Sequence, residues 1–327
     1  MENKNILKVE DLSVFFKINE GTVQAVENVN FQLRDGESIG LVGESGCGKT
    51  TTALAIMGML PSNGYVDNGK VFFEEVDIVK NDEKQWQKYR WDKIAMIFQG
   101  AMNSLNPVMK IRDQIGEAIR LHNPSVTKEE VNDRVVELFK LVGLDEKRIN
   151  YYPHEFSGGM KQRVMIAMAL ACNPKLIIGD EPTTALDVMV QAQIIDLINN
   201  LRQKLNMSMI IITHDLSIIS EICDKVAVMY AGNIVEVGYI EDIIENYKHP
   251  YTEKLIKAFP NIYGDKKMVE SIPGAPPNLL DPPKGCRFHP RCHRCIDICK
   301  SVLPEYTVFG DEHFVACHVV RGGRMNG

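Results

Sequence analysis

Gly43-x4-Gly48-Lys49-Thr50 joins a glycine-rich loop to a lysine and a threonine, a spacing suited to holding phosphate. Glycines let successive backbone N–H groups turn inward around phosphate oxygens. A helix opening there adds partial positive charge. Lys49 is expected to reach the β- and γ-phosphates and Thr50 to ligate magnesium. Gly43, Ser45, Gly46, Cys47, Gly48, Lys49, Thr50 and Thr51 are therefore the expected nucleotide contacts. The apolar run Leu176-Ile177-Ile178-Gly179 ends in Asp180-Glu181. Asp180 would hold magnesium and Glu181 would polarise an attacking water. A strand ending in a solvated acidic turn reads the same way, and only the loop upstream favours chemistry. His214, after Met209–Thr213, is a candidate γ-phosphate contact or an ordinary surface or core histidine. Ser157-Gly158-Gly159 stands before a helical stretch. It reads as an N-cap, or as a second anion site made of hydroxyl, glycine N–H groups and helix dipole. One chain binds one triphosphate at its loop, so a second phosphate-seeking site suggests use in trans.

Each group needs an element to hold it. Ser38–Val42 reads as a short buried strand and Thr51 to Leu60 as a helix stopped by Pro61, which is the context a phosphate loop requires. Leu176–Glu181 and Met209–His214 read as buried parallel strands, and open α/β sheets place ligands at such C-terminal ends. Residues 6 to 40 and 70 to 78 suggest an antiparallel layer, and 37 to 60 and 170 to 240 a strand–helix alternation with a parallel core. Between Gln99 and Ser157 the pattern turns helical. Thr127-x-x-Glu130 is a capping box; Val131, Val135, Leu138 and Val142 follow at helical spacing, and Gly143 closes the segment. A second long helix, Asp187 to Asn206, carries a core stripe of Val190, Ile194, Leu197, Ile198, Leu201 and Leu205. The expected fold is α/β: a P-loop NTPase parallel-sheet core with an antiparallel β layer, a helical subdomain and a small Cys-rich C-terminal tail.

In this order the residues resemble the ATP-binding cassette (ABC) ATPases. FSGGM (Phe156 to Met160) looks like the family signature, usually LSGGQ, with Phe156 and Met160 departing from it. Gln99 looks like the glutamine loop, Ala185-Leu186-Asp187 like the D-loop, and Phe16 sits where the family stacks an aromatic on adenine; Phe16 could equally be a strand core residue. The resemblance implies ATP and Mg2+ as cofactors, with Gln99, Thr50 and Asp180 near the magnesium and Glu181 and His214 catalytic. It implies a head-to-tail pair that sandwiches ATP between one subunit's loop and the other's Ser157-Gly158-Gly159. A narrower resemblance rests on FQGAMNSLNPVMKI, HPYT (His249 to Thr252), IPGAPPNLL and the terminal cysteines. These are similar to oligopeptide/dipeptide permease ATP-binding subunits, whose relatives carry nickel or other small solutes. It implies a second ABC ATPase subunit, identical or homologous, two integral membrane permease subunits and an extracytoplasmic solute-binding protein. It also implies domains at 1–260, with a helical subdomain about 100–160, and 261–327. A soluble, non-transport ABC ATPase is the rival reading. Such proteins usually carry coiled-coil insertions or a second cassette, and neither is present.

The chain has 327 residues, 45% hydrophobic and 24% charged, and its net charge of −6 gives no nucleic-acid footprint. The longest wholly apolar run, Val164 to Cys172, is far below the roughly 18 residues that span a bilayer. The N-terminal stretch is polar without a signal-peptide core. These features predict a protein that stays in the cytoplasm, and the permease resemblance implies that it docks peripherally on the cytoplasmic face of the membrane. Pro273, Pro276, Pro277, Pro282 and Pro283 mark an extended linker. Beyond it lie Cys286-x5-Cys292-x2-Cys295-x3-Cys299-x17-Cys317. In a reducing compartment this crowding favours metal over disulfides. All-sulfur ligation fits an iron–sulfur cluster or zinc, and His289, His293, His313 and His318 keep zinc open. The permease resemblance implies a 4Fe–4S cluster on Cys286, Cys292, Cys299 and Cys317, leaving Cys295 in surplus. Cys172 and Cys223 read as inert packing. Cys47, at a helix N-terminus, reads either as a small side chain that fits the loop or as a thiol of lowered pKa whose alkylation blocks ATP binding and is prevented by ATP.

Overall fold

The alternating run at the start of the chain forms long strands, β1 (Asn5–Ile18) and β2 (Gly21–Arg34), followed by the short apolar β3 (Ser38–Val42). Then come β4 (Gly64–Phe73), β5 (Val76–Asp77), β6 (Ile94–Ile97), β7 (Leu176–Asp180), β8 (Ser208–Thr213), β9 (Lys225–Tyr230), β10 (Asn233–Tyr239), β11 (Tyr306–Phe309) and β12 (His313–Ala316). The computed structural model describes residues 4–100, 104–258 and 272–323. These fall into two compact units. One, the loop unit, comprises Asn5–Leu33, Ile39–Val79 and the chain from Thr213 onward; the other, the helical unit, comprises Arg34–Ser38 and Lys80–Ile212.

In the loop unit, β2, β1, β4 and β5 form the expected antiparallel layer, with Leu7 opposite Phe73 and Val9 opposite Val71. Leu7, Val9, Leu12, Val14, Val71 and Phe73 are buried there, so the alternation places one face in the core. β3 runs parallel to β9, with Leu41 opposite Ala227. β10 turns back antiparallel on β9, and β12 and β11 of the tail continue that sheet from β10. The linker also packs here, with Gln24 N–H donating to Leu279 O at 2.8 Å.

The helical unit holds β6, β7 and β8 in parallel register, Ile97 beside Gly179 and Asp180 beside Ile212. Its helices are Ile111–His122, Lys128–Leu141, Gly158–Ala169 and Val188–Leu205. The capping box forms, with Glu130 N–H donating to Thr127 Oγ1 (3.2 Å) and Thr127 N–H to Glu130 Oε2 (2.7 Å). Val131, Val135, Leu138 and Val142 are buried as expected. Two arginines cap each other's helix. Arg163, on Gly158–Ala169, donates to Val142 O at the end of Lys128–Leu141 (2.6 Å). Arg134, on Lys128–Leu141, donates to Leu170 O (3.0 Å) and Ala171 O (3.4 Å) past the end of Gly158–Ala169. Each cation thus meets the orphan carbonyls and negative dipole end of its neighbour.

Two boundaries differ from the sequence reading. The helix after the loop is Lys49–Ile56 and ends before Pro61, because Gly58 adopts φ +59. Met59 N–H bonds Leu54 O and Gly58 N–H bonds Ala55 O, a Schellman end that frees the helix from any need of proline. The Val188–Leu205 helix begins and ends on Asp187 and Asn206 as caps, but Leu205 is 39% exposed and leaves the core stripe.

Candidate functional site

The phosphate loop leaves a fully buried strand, β3. Gly43 lies at φ +156, and a Cβ there would stand 2.1 Å from Met229 O on β9; at Gly48 (φ +104) it would stand 2.7 Å from Ala25 O. Both positions exclude any side chain, so backbone amides line the bend. Gly232 N–H, from the turn after β9, donates to Cys47 O at 2.9 Å. Lys49 is only 7% exposed, and its ammonium donates to Gly43 O (2.7 Å), Glu44 O (3.1 Å) and Cys47 Sγ (3.6 Å). Thr50 and Thr51 open the helix, as does Thr52, whose hydroxyl donates to Gly48 O.

The expectation for Cys47 is corrected. The thiol is 3% exposed, and burial pushes its pKa up against the opposing pull of Lys49. Desolvation outweighs the helix terminus, so Cys47 is a poor target for alkylation. Cys172 is likewise pushed up, to about 11, chiefly by burial, in keeping with inert packing.

Phe16 is half-buried on β1 opposite Gly64; a Cβ on Gly64 would meet its ring at 2.7 Å. Phe15 instead packs edge-on against Tyr65. His214 is exposed just past β8, and Asp215 beside it caps the helix Leu216–Ile222.

In the helical unit Asp180 is buried at the end of β7. Glu181 follows in a left-handed conformation, φ 46, unusual for a residue with a side chain. The turn re-aims its carboxylate, which accepts from Gln99 Nε2 (2.7 Å) and Thr184 Oγ1 (2.8 Å). The structure thus joins Gln99 to Glu181 directly, a pairing the sequence order did not reveal. Ser157 is exposed and caps Gly158–Ala169, accepting from Met160 N–H at 3.4 Å. Gly159 has a packing reason as well, since a Cβ there would lie 2.6 Å from Val190 Cγ1. Phe156 is buried against Tyr151, which accounts for its place ahead of Ser157. Asp187, in the stretch that resembles a D-loop, accepts from Val190 N–H at 3.0 Å. The stretch after Gln99 crosses residues 101–103, and the boundary expected near residue 260 falls within 259–271; both lie outside the described residues.

Residues to which the sequence reading gave no individual role gather behind the phosphate loop. His249 caps the helix Pro250–Lys257, its Nδ1 accepting from Tyr251 N–H (3.0 Å), so the HPYT run sets the angle of Tyr251. The Tyr251 hydroxyl accepts from Glu44 N–H at 3.0 Å. Arg291, from the tail, donates two bonds to the Glu44 carboxylate, at 2.7 and 3.0 Å. HPYT was visible as a string, but nothing local to it names its partner.

In the tail, Cys286 N–H donates to Cys299 O at 2.9 Å, and a Cβ on Gly285 would stand 2.3 Å from that carbonyl. Burial pushes the Cys286 thiol up to about 12, with Cys299, Cys317 and Cys292 adding to the shift. An all-sulfur set of ligands would suit a soft, thiophilic group. Among the described residues, no three His, Cys, Asp or Glu side chains converge tightly enough to hold a metal ion. Of the histidines that kept zinc open, His313 pairs with the buried Glu236 (2.7 Å) and His318 with Val302 O (2.8 Å).

A glycine-bent loop on a buried strand, with carboxylates at the end of a parallel strand, is the equipment of a P-loop nucleotide-binding protein. The chain matches the ABC transporter family over residues 26–184 and the oligopeptide/dipeptide transporter C-terminal region over residues 235–299. It is 48% identical over 306 residues to the oligopeptide transport ATP-binding protein OppD of Escherichia coli, covering 92% of this chain and 90% of that protein. It is 43% identical over 317 residues to the dipeptide transport ATP-binding protein DppD of Bacillus subtilis, covering 96% and 94%. Among solved structures it is similar to a dimeric, post-hydrolysis ATP-binding cassette bound to ADP and Pi (TM-score 0.65, 28% identity, 72% of this chain and 98% of that one). CbiO1 from Clostridium perfringens, part of an ABC transporter complex, is comparably similar (TM-score 0.65, 29% identity, 74% and 92%). The chain belongs to the ABC transporter ATPases, in their oligopeptide/dipeptide transport branch. Among the described residues, no helix is long and apolar enough to cross a membrane.

Proposed function

We propose that the chain is the ATP-hydrolysing subunit of an importer of di- and oligopeptides. The observation that carries this is the near end-to-end likeness to peptide-transport ATP-binding proteins, tail included. Phosphoryl transfer to water needs positioning and charge neutralisation more than covalent chemistry. Lys49 and the loop amides take the phosphates, Phe16 stacks on the base, and His214 contacts the γ-phosphate. Thr50 and Asp180, with Gln99, hold magnesium, which when bound neutralises phosphate charge. Glu181 orients the attacking water, its carboxylate being steadied by Gln99 and Thr184. A second ABC ATPase subunit, identical or homologous, supplies its Ser157-Gly158-Gly159 equivalent to close the site. Two membrane permease subunits and an extracytoplasmic solute-binding protein complete the importer, with this chain at the cytoplasmic face.

The test is reconstitution with the membrane subunits and binding protein. Peptide added outside raises ATP turnover; stimulation by nickel or another small solute, and not by peptide, moves the chain to that alternative. We further propose that Cys286, Cys292, Cys299 and Cys317 hold a 4Fe–4S cluster. The all-sulfur chemistry of these residues and the likeness of the tail to the oligopeptide/dipeptide transporter C-terminal region support it. Anaerobically purified protein is expected to be brown, and colourless protein with stoichiometric zinc overturns the assignment.

A further inference from the structure

The tail reaches the phosphate loop through two arginines. Arg287, 3% exposed, donates to Glu27 Oε2 (2.7 Å) and to Gln24 O (3.2 Å) and Ala231 O, holding the turn whose Gly232 bonds Cys47. Arg291, whose side chain is 5% exposed, does more. Its two terminal nitrogens grip both oxygens of Glu44, Nη1 also bonds the Tyr230 hydroxyl (3.2 Å), Nε bonds Pro273 O (2.7 Å), and Nη2 bonds Ile272 O (3.2 Å). Glu44 is the first variable residue of the phosphate loop. It is held at three points: its amide by Tyr251, its carbonyl by Lys49 and its carboxylate by Arg291. The platform beneath is aromatic and dry. Tyr230, Tyr251 and Phe288 are fully buried, with ring centroids 4.6 to 5.3 Å apart.

Two physical consequences follow. A glycine-rich loop samples many shapes, and nucleotide affinity falls by the fraction of time the binding shape is absent. A bidentate guanidinium–carboxylate pair, its cation buried and its carboxylate half-buried, fixes one shape. In addition, a bare carboxylate in a loop that wraps a triphosphate repels it, and Arg291 cancels that charge. We propose that Arg291, with Tyr251, is a positioning residue for nucleotide binding, so that the C-terminal tail completes the phosphate loop. This rests on the ATP-binding reading above.

The test measures equilibrium binding of MgATP to the full chain, purified anaerobically, and ATP turnover of the assembled transporter. Arg291→Gln is expected to weaken MgATP binding, and raise KM for ATP, about tenfold, with kcat changed less than about twofold. Adding Glu44→Gln to Arg291→Gln removes the stranded charge and is expected to return affinity to within about threefold of wild type. A merely structural arginine gives no such rescue. Arg291→Lys, keeping charge without the fork, falls between. Wild-type affinity in Arg291→Gln, a loss confined to kcat, or a loss that Glu44→Gln does not relieve overturns the proposal. Should Arg291→Gln fail to fold, Tyr251→Phe decides: it loses one hydroxyl, is expected to bind about threefold more weakly, and unchanged affinity overturns the proposal. A wild-type chain that does not bind MgATP removes the ATP reading instead.

Discussion

At the phosphate loop, Lys49 lies buried on its own loop's carbonyls and Glu44 is held on every side; at the end of β7, Glu181 is half-buried beside an exposed Gln99, and Ser157 stands in solvent at its helix N-terminus. The loop is held in shape by the protein's own contacts, which suits recognition. The exposed groups gain electrostatic strength only when a further surface excludes water from them, which suits a step that waits for closure.

Substitutions on the two sides should therefore fail differently. Glu181→Gln is expected to lower ATP turnover by about two to four orders of magnitude while leaving MgATP affinity within a few-fold of wild type and trapping a closed dimer. Single-turnover kinetics and size-exclusion chromatography with ATP measure this, and near-normal turnover removes Glu181 from its role. Lys49→Ala is expected to weaken MgATP binding itself, about a hundredfold, in equilibrium titration. If the two variants lost affinity equally, the contrast between a recognition element and a closure-dependent one would break.

Smaller effects sharpen it. His249 is held down to about 4 by burial, against the opposing pull of Glu236, from an ordinary value of 6.5. The unfolded chain takes the proton first, so stability is full above pH 6.5 and is lost as pH falls toward 4, by about 2 kcal/mol at pH 5. His249→Asn keeps a capping acceptor without a titration and should flatten the melting profile between those limits. In the helical unit, Arg134→Ala and Arg163→Ala should each cost about 1–2 kcal/mol in urea unfolding, with MgATP affinity unchanged. An affinity change there would mean the helix clasp reaches further than its two termini.

What the sequence made legible was what neighbours in the chain decide. Gly43 to Thr50, the Thr127–Glu130 box, the Ser157 and Asp187 caps and the apolar strands β3, β7 and β8 each have their cause within a few residues. The misses have distant causes. Cys47 looks activated beside a helix terminus and is instead buried. The mutual capping of Arg134 and Arg163 needs two helices brought together in space, which neither announces locally, and the strands of the tail are too short to announce that they continue β10. Arg291 reads as one more base in a cysteine-rich segment until its partner, far upstream, is known.

That partner is 247 positions away. During synthesis, Glu44 leaves the ribosome long before the guanidinium that meets it has been translated, and contacts so remote in sequence form late and slowly. A nascent chain, or one cut short ahead of Arg291, thus lacks the contact that holds the Glu44 carboxylate, and the last constraint on the phosphate loop is deferred until nearly the whole polypeptide exists.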